Sequence, residues 1–199
     1  AFQVKIGQTV SSATSSWGAA TTLNNTGGFV VGTGSNAHTL SVAGAFATAS
    51  TGTVSLNGAV TTTGTGAQTY GAAVVLTGDT TFTTTNSAVA FNSTVDGATA
   101  NTESLTVAAG TGNATFTGAV GATTSLKNIS VTTGALTAAA VKVGTGITVT
   151  NSAASTISGI ISGAAGLTKA GTSTLTLSGA NTYSGATAVN AGTLIAANT

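Results

Sequence analysis

The chain has 199 residues, about two thirds of them Thr, Ala, Gly or Ser, with four lysines, three acidic residues, one histidine and no arginine, proline or cysteine. Zero cysteine excludes disulfides, thiolate metal sites and a cysteine nucleophile. A net charge of +1 excludes a basic footprint for nucleic acid and makes disorder by charge repulsion a poor reading. No run of apolar residues is long enough for a transmembrane helix, so membrane insertion is not expected. Ala1 fits either a mature terminus left after signal removal or the start of a fragment.

In chain order, Phe2, Val4 and Ile6 alternate with Gln3 and Lys5 and predict a terminal strand. Apolar pairs two residues apart then recur: Val54 and Leu56, Val89 and Phe91, Leu105 and Val107, Ile129 and Val131. Val141 and Val143, Ile147 and Val149, and Leu175 and Leu177 continue the series. Each pair places two side chains on one strand face. Between them lie turn signals such as Asn57-Gly58, Thr77-Gly78-Asp79, Asp96-Gly97 and Ser178-Gly179. Thr, Ser, Gly and Val are inferior helix formers, so the pattern is all-β with many short strands.

Three features favour a solenoid of stacked coils over a sandwich or barrel. An apolar residue, a small polar residue, Gly and Ala recur at 56–59, 116–119, 161–164, 177–180 and 183–186. Charge is depleted, and like charges on coils about 4.8 Å apart would repel by roughly 3.5 kcal/mol at an effective dielectric of 20. Proline, which breaks a ladder wherever both strand edges are paired, is absent. A Thr-rich antiparallel β-sandwich shares this composition and stays open as the alternative. A coil of about 20 residues gives about ten rungs.

Residues 68–82, followed by Val89-Ala90-Phe91-Asn92, Ser104-Leu105-Thr106-Val107 and Phe116-Thr117-Gly118-Ala119, form a succession that resembles the repeats of filamentous-haemagglutinin-like adhesins. Gly166-Leu167-Thr168-Lys169-Ala170-Gly171, then residues 173–187, then Val189-Asn190-Ala191-Gly192-Thr193-Leu194, resemble an autotransporter-associated β-strand repeat almost end to end. The resemblance implies a secreted passenger folded as a right-handed parallel β-helix, extracellular or displayed at the cell surface. The expected organisation is an N-terminal strand region over 1–50, serving as an inter-subunit segment, and a solenoid body over 51–199, with the autotransporter-type repeat at 166–195.

Chemistry is scarce. Asp79 and Asp96 sit in turn sequences and are each expected to cap their own backbone; Glu103 reads as a solvated loop residue, and His38 as a solvated loop histidine. The Gly-Thr-Gly units at 32, 64, 110 and 144 read as turns. Trp17, Tyr70, Tyr183 and the six Phe are expected in core or turn packing. No catalytic residue, cofactor or metal ligand is assigned. Polysaccharide lyases on parallel β-helices use clustered acids, Ca²⁺ and a basic residue, often Arg, and this chain has no acidic cluster and no Arg. The expected role is that of a structural protein whose unpaired end strands template a neighbour. Phe2, Val4, Ile6 and Val10 at one end, and Thr193, Leu194 and Ile195 at the other, are the candidate self-association residues. The alternative is a monomeric adhesin fragment that contacts surface glycans.

Overall fold

The computed structural model describes residues 4–6 (backbone only), 14–24, 27–32, 36–49 and 51–197. Among these residues there is no helix, and every strand pairing is parallel. That disposes of the antiparallel sandwich. The chain winds as a right-handed β-solenoid with two long sheets, one of nine strands running from Thr21–Leu23 to Thr193–Ala196 and one of thirteen.

All seven apolar pairs of the sequence point inward, each member being at most 6 % exposed. Stacking them in register makes apolar columns. In the larger sheet Leu40, Val60, Phe82, Val107, Val131 and Val149 follow one another. Their neighbours on the opposite pleat form the neutral ladder Thr81, Thr106, Ser130, Thr148 and Thr168. The smaller sheet presents Thr115, Thr137, Thr156 and Thr176 in the same way. Short hydroxyl side chains tolerate identical neighbours at the coil spacing, which charged ones do not.

A third face runs through Val54, Val74, Val95, Val120, Val141 and Ile161, joined partly by single bridges. The long strands Val54–Thr63, Val74–Thr84 and Val141–Asn151 bend and serve two faces at once. Several sequences expected as turns therefore lie inside strands: Asn57-Gly58, Thr77-Gly78-Asp79 and Gly144-Thr145-Gly146. At Gly58 the bend takes φ to 119°, and a Cβ would run into the His38 carbonyl of the coil beneath. The ladder slips register at the same place, between Leu56 and Gly58.

Coil length is not constant. Stacked partners are 18 residues apart at Ile129 and Ile147, and 25 apart at Thr80 and Leu105. The longer coils carry extra residues, and the ladder also slips register between Leu126 and Asn128.

The aromatics form a ladder along the inside of the smaller sheet. Tyr70, Phe91 and Phe116 occupy one column, with centroids 5.0 and 4.9 Å apart and planes within 12° and 6° of parallel. Phe82 meets Tyr70 and Phe91 edge-on across the core, at 5.1 and 4.9 Å. The stacking distance is the coil spacing, so parallel rings follow from placing the same kind of side chain at the same register position.

Candidate functional site

The corner between the two sheets is polar inside. Backbone carbonyls there, some in strands and some in bends, accept hydrogen bonds from buried side chains. Gln68 Nε2 donates to the carbonyls of Val60 and Thr83, each at 2.9 Å, and its Oε1 accepts the Tyr70 hydroxyl at 3.0 Å. Thr133 Oγ1 donates to Gly112 O at 2.7 Å. Asn151 Nδ2 reaches Ala153 O, Thr174 O and Ser155 Oγ at 2.7, 2.9 and 3.0 Å. Alternation alone does not distinguish these inward Thr and Asn from the outward ones.

Lys169 ends the same series. It stacks on Val149 and beneath Val189 in an inward column, is fully buried, and donates from Nζ to the carbonyls of Gly171 and, at 3.3 Å, Ala191. Burial lowers its pKa below that of an ordinary lysine. The unfolded chain holds this proton up to about pH 10.4, whereas the folded chain releases it earlier. In that window the unfolded state binds more protons, so stability rises with pH and falls again on acidification through the folded value. Tyr70, whose pKa burial raises well above the ordinary value, acts the other way, and only above about pH 10. Urea midpoints between about pH 7 and pH 10 are expected to climb more in the native chain than in Lys169→Met.

The carboxylates are engaged with backbone. Asp79 accepts the N–H of Ser104 at 2.8 Å, and Asp96 those of Thr123 and Thr124 at 2.9 and 3.2 Å. Neither caps its own turn as expected: Asp79 and Asp96 lie in the strands Val74–Thr84 and Val95–Gly97 and accept from the backbone of the next coil. Asn86 and Asn113 clip Thr111 and Ala135 in the same manner. Glu103 is not solvated: it is 4 % exposed, and both carboxylate oxygens accept the Thr99 N–H at 3.2 Å. This bond closes the 98–103 excursion over its own carboxylate. His38 is not in a loop either. It begins the strand His38–Ala43, is 3 % exposed, and its Nε2 lies 3.0 Å from Ser15 Oγ. Among the described residues no group of three or more His, Cys, Asp or Glu could hold a metal ion. Each of the three carboxylates accepts at least one backbone N–H bond.

Of the candidate association residues, Phe2 and Val10 lie outside the described residues. Val4 and Ile6 belong to a strand that pairs with Phe29–Val31 and begins the larger sheet. Thr193, Leu194 and Ile195 lie in the strand Thr193–Ala196, which pairs with Thr174–Leu177 and ends the smaller one. The two sets occupy opposite ends of the stack. Beside the second set, Thr187–Val189 ends the larger sheet. On this coil the inward pattern opens to solvent: Val189 is 49 % exposed and Ile195, on the outer pleat, 46 %.

The family model of the passenger-associated-transport-repeat matches residues 167–196, the last full coil and a half of the described stack. No curated protein and no solved structure matches the chain. The β-solenoid fold and the repeat are consistent with the passenger domains of autotransporters and adhesins.

Proposed function

We propose that the chain is a non-catalytic structural subunit outside the cell, a β-solenoid body that associates head to tail in a surface fibre or adhesin. The observation that carries this reading is the open coil formed by Thr187–Val189 and Thr193–Ala196, each strand paired on one edge among the described residues and flanked by exposed Val189 and Ile195. An unpaired, uncharged strand edge is a template for another strand. A parallel coil added here continues both sheets and covers Val189, and the strand containing Val4 and Ile6 offers the complementary edge. The passenger-associated-transport-repeat match supports export.

Sedimentation velocity and electron microscopy of the purified chain test this. Concentration-dependent rods longer than one subunit are expected, and Val189→Lys with Ile195→Lys is expected to reduce them to single subunits, because stacked like charges and buried ammonium groups oppose the joint. Undiminished assembly by that variant, or by a chain lacking residues 1–10, overturns the reading.

A further inference from the structure

On the third face two open depressions, with volumes of about 210 and 380 Å³, meet at Lys142. The larger is within the usual size of a small-ligand site. Missing side chains create them. Gly121, next to Lys142 in the stack, has φ 70°, and its would-be Cβ points onto the Lys142 carbonyl. Gly144 and Gly163 line the smaller depression, Ala122 and Ala140 the larger. The outward column of this face runs through Ser55, Val75, Asp96, Gly121, Lys142 and Ser162, so the lysine stands directly on a residue without a side chain.

Lys142 is exposed although its strand neighbours Val141 and Val143 are core residues. Among the described residues no ion pair forms with it, since the three carboxylates accept backbone N–H bonds of their own. The hydroxyl residues Ser125 and Thr145 lie on one side of it, Ser162 and Thr182 on the other. Ile160, 46 % exposed, lies along the larger depression.

We propose that this groove binds an acidic polysaccharide, with a uronate carboxylate on the Lys142 ammonium. The sugar hydroxyls exchange hydrogen bonds with the flanking serines and threonines, and Ile160 packs against the apolar face of a ring. One cation among hydroxyls matches a sugar ring that carries one carboxylate among several hydroxyls; a polyphosphate requires several cations at close spacing. The groove runs across successive coils on the side of the stack. It therefore does not depend on the end-to-end joint, and its failure leaves the proposed assembly untouched.

Calorimetric titration of the chain with tetragalacturonate, with maltotetraose and inorganic sulfate as comparisons, is the test. Saturable binding of the uronate chain is expected, weakened at least about tenfold by Lys142→Met and measurably by Ile160→Ser. Lys127→Met, which removes another exposed lysine, is expected to change nothing, and an unaltered thermal transition shows that Lys142→Met is folded. Absent saturation, equal affinity for maltotetraose, equal loss in Lys127→Met, or sulfate competing as well as the uronate chain each overturn the proposal.

Discussion

Phe91→Ala is expected to destabilise the solenoid by about 3–5 kcal/mol, the range for truncating a buried phenylalanine. The ring is 1 % exposed, stacked between Tyr70 and Phe116 and met edge-on by Phe82. Deleting it removes three aromatic contacts and leaves a hole that cannot collapse, because the coils above and below are held apart by their main-chain ladders. Phe91→Leu, which keeps most of the volume, is expected to cost roughly half as much. Urea unfolding followed by circular dichroism checks both. Stability in a stacked-coil protein resides in nearest-neighbour interfaces, so Phe91→Ala is also expected to split the transition, with coils on either side of the gap melting separately. A single transition displaced by less than about 1 kcal/mol would show that the aromatic column is not what couples these coils.

The Phe91 position was readable from sequence because Val89 and Phe91 alternate with Ala90, and period-two alternation fixes which face is buried. The same holds for the other six apolar pairs, and the missing prolines carry the doubly paired ladder. What alternation does not encode is the corner. Thr62, Thr133 and Asn151 have the composition of outward ladder residues, yet all three are buried, because the chain turns between sheets there and its carbonyls face inward. Glu103 and His38 are hidden for a related reason: a local sequence says that a polar residue is near a turn, not that another coil lies across it. Ser15, 23 residues before His38, supplies its neighbour. Gly144-Thr145-Gly146 reads as a turn and is the bend of an eleven-residue strand, since two glycines satisfy either geometry. The Lys142 groove was least legible. It consists of absent side chains on several coils, and stacked partners between 17 and 25 residues apart prevent those positions from being aligned by a fixed period.

Asn151→Leu is expected to cost about 1–3 kcal/mol, the penalty for leaving a buried polar group without its partner. The side chain is 1 % exposed, and its amide ties its own turn, through Ala153 O, to Thr174 O of the following coil. Two opposing effects meet here. Leucine retains most of the volume and removes Asn151 Oδ1, which is buried without a hydrogen-bond partner. Against that gain, Thr174 O loses the Nδ2 donor, while Ala153 O keeps the Ser155 hydroxyl at 3.1 Å. The loss outweighs the gain because the bond to Thr174 spans two coils, and the interface between coils is where solenoid stability resides. Thr148→Val, an outward substitution on the same strand, is expected to stay within about 0.5 kcal/mol and so separates the polar corner from the generic effect of removing a hydroxyl. Limited proteolysis gives a second readout: Asn151→Leu is expected to open cleavage between residues 152 and 174 before the N-terminal coils yield. A variant as stable and as protected as the native chain would mean that the main-chain ladders hold these coils together without the amide.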